Sequence, residues 1–270
     1  MQLVISTDLD GTLIDHHDYS FDAALPALEK CRLAGVPVIF NTSKNASEAL
    51  ALQQKIGVQG PLIVENGSAL IVDTERVIFG VNRDEILNFI SQFKCQHGDL
   101  LEGFNDWSEQ QLIDQTQLDL HSAQLAMKKE YSEPFLWHGN QRQLTLFEAT
   151  ANQHGLTLSQ GGRFYHLQGK CDKAKPLNYL LNYLLNYLKS HPKNLFAGDA
   201  RLKLVCLGDN HNDVAMLECA DIAVCVKSST TDYPTFDKSN NQHTIYTQLY
   251  GPEGWNAAVN DILASYSNDY

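Results

Sequence analysis

The sequence predicts an α/β protein in which a parallel sheet covered by helices is interrupted by an inserted α+β domain. Three observations carry this. Short apolar runs alternate with helical patterns at the start of the chain. From about Asn82 to Phe164 the chain turns more polar and richer in helical stretches. After that the strand–helix alternation resumes, beginning with a long helical segment near Lys173. Alternation of this kind implies parallel strands with ligands at their carboxyl ends.

In chain order, Leu3 to Thr7 reads as the first strand, and Ala23 to Ala34 as a helix stopped by Gly35. Val36 to Phe40 is the second strand, Ala46 to Ile56 a helix stopped by Gly57, and Leu62 to Val64 the third strand. The insertion holds helical stretches at Arg83–Lys94, Ser108–Asp114, Leu118–Lys128 and Leu144–His154. Strand candidates Phe135–Trp137 and Phe164–Leu167 lie among and after them. Lys173 to Lys189 carries Leu-Asn-Tyr-Leu three times, a four-residue spacing close to the helical period, and reads as one amphipathic helix. Leu204–Leu207 and Ile222–Val226 are further buried strands, and a last helix closes the chain. The expected division is 1–82 with 167–270 as the core, and 83–166 as the insertion.

A chain of 270 residues with 43% hydrophobic content can bury a substantial core. Its net charge of −12 argues against nucleic acid or an anionic membrane as a partner. The six scattered cysteines form no Cys-x-x-Cys pair, so they read as reduced core residues. None of the ten histidines has metal-binding spacing. No charged-then-apolar leader opens the chain and no run is long enough to span a bilayer, so a cytoplasmic location is expected, with no protein partner implied.

The first strand ends in Asp8-Leu9-Asp10-Gly11-Thr12. Two carboxylates at this spacing can face one opening, as nucleophile and proton carrier, and they repel unless a cation offsets them. Asp-Gly is also a common turn signal. Thr42 follows the second strand, Lys173 opens the long helix, and Gly208-Asp209-Asn210-His211-Asn212-Asp213 follows a later strand. Taken together, these four features resemble the haloacid dehalogenase superfamily and its Rossmann-like core.

The resemblance implies a Mg²⁺-dependent phosphatase in which Asp8 forms an aspartyl-phosphate and Asp10 serves as acid and then base. It makes Asp8, the main-chain carbonyl of Asp10, and Asp209 the metal ligands, with Asp213 positioning waters or Lys173. Thr42 and Lys173 would hold the phosphoryl oxygens. Lys170 and Lys175 read as solvated charges. The insertion between Thr42 and Lys173 resembles the large C2-type cap of this superfamily.

Finer features resemble the mannosyl-3-phosphoglycerate phosphatase family: Asn41-Thr42-Ser43-Lys44-Asn45, Tyr131-Ser132-Glu133-Pro134-Phe135, Gly161-Gly162-Arg163-Phe164-Tyr165-His166 and Gly251-Pro252-Glu253-Gly254-Trp255. Asn45 departs from the Thr common there. The resemblance implies a phosphorylated sugar substrate, with mannosylglycerate, a compatible solute, as product. Arg163 offers a fork-shaped donor for the substrate carboxylate. His166 could meet that carboxylate or sugar hydroxyls, or be a satisfied strand residue. Gly161-Gly162 permits close backbone approach or a simple hairpin turn. Lys44 could contact the carboxylate or pair with an acid such as Glu65. Asn66-Gly67 is a turn or the rim of the site. Ser43, Ser132 and Asn212 complete the expected substrate contacts. Alternatives at this point are a glucosyl or broad sugar-phosphate phosphatase, a phosphomutase, and a non-catalytic binding protein.

Overall fold

The computed structural model describes residues 2–161, 163–190, 202–237 and 243–267; Gly162 of the expected glycine pair lies outside them. The larger sheet takes β1 (Gln2–Thr7), β2 (Val38–Asn41), β3 (Leu62–Val64), β4 (Ala69–Val72) and β5 (Glu75–Ile78) from the first part of the chain. Interleaved with these are α1 (Leu25–Leu33) and α2 (Ala46–Ile56). The middle of the chain supplies α3 (Arg83–His97), β6 (Leu101–Gly103), α4 (Glu109–Thr116), α5 (Leu120–Ala126), β7 (Ser132–Trp137), α6 (Gln141–Gln153), β8 (Leu156–Gly161) and β9 (Phe164–Gly169). The chain then returns through α7 (Ala174–Ser190), β10 (Leu202–Gly208), α8 (Val214–Glu218), β11 (Ile222–Lys227), β12 (His243–Tyr250) and α9 (Gly251–Ser267).

The large sheet has the order β12-β11-β10-β1-β2-β3-β4-β5, parallel from β12 to β3 and antiparallel through the β4–β5 hairpin. Both its faces are covered, which is why its strands read as nearly unbroken apolar runs. Leu3 and Ile5 face a core shared with Trp255, Val259 and Ile262 of α9, whereas Val4 faces Leu177 and Leu180 of α7 and Met216 of α8. The smaller sheet, β6-β7-β9-β8, is antiparallel throughout. Phe89 and Phe93 of α3 and Phe147 of α6 pack on one side of it, against Phe135 and Leu167. A satellite cluster of Phe104, Trp107, Leu112, Ala123 and Ala126 sits under α4 and α5.

Several strands were not legible in the sequence. β5 has only one position that is not exposed, so it lacks the alternation that marks a strand. Its turn relies on Asp73 at φ 53 in place of an Asn-Gly pair. β4, β6, β8 and β12 were also missed, while the second strand begins at Val38, two residues later than expected. None of the six cysteines is in a disulfide. Among the described residues, no helix is long and apolar enough to cross a membrane.

Candidate active site

The site forms where β1, β2, β3 and β10 end side by side. Asp8 leaves β1 with its N–H donating to Leu207 O at 2.9 Å. Gly11 then turns with φ 81, and a Cβ on it would lie 2.6 Å from Asp209 Oδ2. Glycine here lets the two acidic loops touch. The Thr12 hydroxyl ties them together by donating to Asp209 Oδ1 at 2.9 Å.

Lys173 is wholly buried. Its ammonium donates to Asp8 Oδ1 at 2.5 Å and to Asp213 Oδ1 at 2.6 Å. Two devices deliver it. Asp172 Oδ1 accepts from Ala174 N and Lys175 N, each at 2.9 Å, and so caps α7. Glu65, Asn66 and Gly67 run at φ 48, 55 and 92, folding the end of β3 against that cap. A Cβ on Gly67 would stand 1.9 Å from Asp172 O, so only glycine permits the approach. Lys175 lies over the Phe79 ring and Lys170 is exposed, so neither competes with Lys173.

Thr42 N donates to Ile63 O at 2.9 Å, and its hydroxyl oxygen accepts from Lys44 N at 3.1 Å. The Lys44 side chain reaches Asp10 Oδ1 at 2.9 Å, which answers the alternative pairing with Glu65. Burial works against the Lys44 charge, but Asp10 and Glu48 outweigh it and hold the ammonium above its ordinary range. Lys173 behaves alike: burial opposes its charge, and Asp213 and Asp8 overcome that.

The acids are in excess. Burial raises Asp8 well above the usual carboxylate range; Lys173 opposes this, while Asp213, Asp209 and Asp10 add to it. Burial, then Asp213, lifts Asp209 to about 7. Asp8, Asp209 and Asp213 each place a carboxylate oxygen within 4.8 Å of the others. Asp213 is already committed, since its Oδ2 accepts from Asp209 N at 3.0 Å and Asn210 N at 3.1 Å while Oδ1 holds Lys173. Three buried carboxylates against one ammonium, in an oxygen-only donor set, fit a hard divalent cation such as Mg²⁺.

A cavity of about 680 Å³ opens above this floor. Asp8, Asp10, Asp209, Ser43, Lys44, Asn66, Asn212, Arg163 and His166 all line it, so most of the expected contacts converge. Asn212 Nδ2 donates to Asn66 Oδ1 at 3.1 Å, which joins two walls. The Arg163 guanidinium lies 5.1 Å from the Phe164 ring centre. Burial, with Lys129 nearby, pushes His166 down to about 3, so it meets a ligand as a neutral ring.

Thr42, Lys173 and Asp213 are fully buried and are not among the lining residues. Ser132 is not among them either. Its hydroxyl donates to Glu65 Oε2 at 2.5 Å, and Glu65 also accepts from Glu130 N at 2.9 Å and Tyr131 N at 3.1 Å. That cluster fastens the entry to β7 onto the end of β3. Tyr19 and Lys129 are among the lining residues that went unnoticed in the sequence. Tyr19, held at φ 58, sits 5.7 Å beneath the Lys44 ammonium. Lys129 donates to Ser43 O at 3.0 Å. No spacing announces either, because each contact joins segments far apart in the chain.

Comparison with known proteins agrees with this geometry. The family model for haloacid dehalogenase-like hydrolases matches residues 5–235. A glucosyl-3-phosphoglycerate/mannosyl-3-phosphoglycerate phosphatase of Persephonella marina is 32% identical, covering 97% of each chain. A protein of the same description from Methanococcoides burtonii is 29% identical over 99% of this chain and 100% of its own. A solved structure from Thermoplasma acidophilum superposes with a TM-score of 0.67 at 17% identity, covering 97% of this chain and 98% of that one. The chain therefore belongs to the haloacid dehalogenase-like hydrolase family and is an enzyme of the phosphoric monoester hydrolase class.

Proposed function

We propose that this enzyme is a Mg²⁺-dependent phosphatase that hydrolyses mannosyl-3-phosphoglycerate to mannosylglycerate and phosphate, with residues 83–166 as a cap over the core. The observation that carries this reading is the pairing of Asp8 with Lys173 at the cavity floor, with Asp10 and Lys44 beside it. Lys173 orients the Asp8 carboxylate for attack on phosphorus. As Asp8 becomes an acyl phosphate its oxygen loses charge, and the ammonium turns to the phosphoryl oxygens. Thr42, whose hydroxyl accepts from Lys44 N, keeps its own hydrogen to donate. Asp10 gives its proton to the departing glycerate oxygen, then takes one from the water that cleaves the acyl phosphate. Held by Asp8, the Asp10 carbonyl and Asp209, Mg²⁺ would offset the charge of carboxylate and phosphate.

Arg163 and the neutral His166 are suited to a substrate carrying both a carboxylate and sugar hydroxyls. None of the six cysteines is in a disulfide, which suits a cytoplasmic setting. Glucosyl-3-phosphoglycerate is the second reading, because both relatives are described with both sugars.

The test is phosphate release from the mannosyl and glucosyl esters and from simple sugar phosphates, with Mg²⁺ or EDTA, for wild type and Asp8→Asn. Preference for the phosphoglycerate esters is expected, lost with EDTA and reduced at least about 10⁴-fold in the variant. Turnover confined to simple sugar phosphates would discard the substrate assignment. Undiminished turnover in Asp8→Asn would discard the mechanism.

A further inference from the structure

Asn45 is wholly buried and serves two elements at once. Its Oδ1 accepts from Glu48 N at 3.0 Å and caps α2. Its Nδ2 points the other way, donating to Leu125 O at 2.7 Å and Ala126 O at 3.3 Å. Those carbonyls belong to the last turn of α5 in the insertion, and Leu125 O also accepts from Lys128 N at 3.0 Å. Thus one side chain starts a core helix and finishes a cap helix.

Lys129, 9% exposed, makes the reciprocal reach from the insertion to the core. Its ammonium donates to Ser43 O at 3.0 Å and pairs with Glu48 Oε2 at 3.4 Å. Glu48 Oε2 also accepts from Asn45 N at 2.9 Å, which closes the ring of contacts. These contacts bracket Lys44 on both sides in the chain, at Ser43 and Asn45. Lys44 in turn holds Asp10 at 2.9 Å.

We propose that Asn45 and Lys129 are positioning residues that tie the cap to the proton donor Asp10 through the Ser43–Lys44 segment. When α5 is seated, the segment is fixed from both ends and Lys44 holds Asp10 in register. When α5 lifts, the Ser43 carbonyl and the Asn45 amide lose their partners and that register loosens. Protonation of the leaving oxygen is thereby coupled to closure over the substrate. This rests on Asp10 acting as the acid.

The consequence is selective. An aryl phosphate with a good leaving group needs little acid assistance, whereas an alkyl ester needs it fully. Asn45→Thr retains an acceptor oxygen for Glu48 N but removes both amide donors. Relative to wild type, it should lose at least about 10-fold in kcat/KM on glycerol 3-phosphate, and less than about threefold on p-nitrophenyl phosphate. Lys129→Met should show the same split, and Lys129→Arg should recover part of it. Equal losses on the two esters, or no loss on either, overturn the proposal.

A second readout does not depend on turnover. Amide exchange across Leu120–Lys129 should quicken in Asn45→Thr while α2 keeps its protection. Unchanged exchange in that segment overturns the latch. Wild-type inactivity on both esters, which a strict preference for phosphoglycerate esters would produce, leaves the assignment of Asp8 and Asp10 standing and the exchange result to decide the latch.

Discussion

At the core end of the cavity the Lys173 ammonium lies between two carboxylates, and Lys44 rests on a third. At the cap end Arg163 lies over the Phe164 ring and makes no ion pair among the described residues, and His166 is neutral. The core end is already ordered by these ion pairs, with acid to spare for a divalent cation. A phosphoryl group entering there exchanges one set of charge partners for another, which favours chemistry over tight binding. The cap end keeps donor capacity in reserve, so under the proposed function it is the end expected to supply affinity for the organic half of a substrate.

The strongest way to break the core end is to remove its central cation. Lys173→Met leaves three buried carboxylates without an ammonium and should cost about 3–5 kcal/mol of metal-free stability in urea titration. Turnover should fall at least about 10³-fold. A stability loss below about 1 kcal/mol would mean that protons already neutralise the acids.

The cap end should respond differently. Arg163→Lys retains charge and loses the planar fork, so KM for a carboxylate-bearing substrate should rise about 10-fold with kcat nearly unchanged. A fall in kcat with constant KM would move Arg163 to the chemical step.

A divalent ion sharpens the contrast through pH. Asp209 is raised from 3.8 to about 7 in the fold, so its contribution to stability is full below the lower value. That contribution is lost as pH rises through the upper one. Mg²⁺ should therefore raise the melting temperature more above pH 7 than below pH 5, because protons compete for the same oxygens. A shift independent of pH would place the ion elsewhere. The smallest effect belongs to Ser132→Ala, which removes one hydrogen bond to Glu65 and should cost about 1 kcal/mol. Its KM should not change; a marked rise would return Ser132 to the substrate.

The sequence exposed the core end far more readily than the cap end. Asp8, Thr42 and Asp209 each follow a short buried strand, and Lys173 opens a capped helix, so local pattern and chemistry coincide there. Glu65, Lys129 and Tyr19 had no such signal. Glu65 needs a backbone at φ 48 and partners 65 to 67 residues away. Lys129 acts across 86 positions. The exposed β5 likewise lacked the apolar run that revealed β1. What was legible was written within one element, and what was not depends on how two elements meet.

The central place of β1 in the large sheet also sets the order in which a growing chain can become an enzyme. Gln2 pairs with Leu202, a separation of 200 residues. At roughly 5–20 residues per second, β1 and Asp8 precede that sheet partner on the ribosome by about 10–40 s. During that interval β1 can pair with β2 but presents its other edge unpaired, open to a chaperone or to a second nascent chain. Asp209 and Asp213 arrive with that missing strand. Closing the edge and delivering those two acids are thus one event in the life of the molecule, and no fragment that ends before Asp213 carries the full acid cluster.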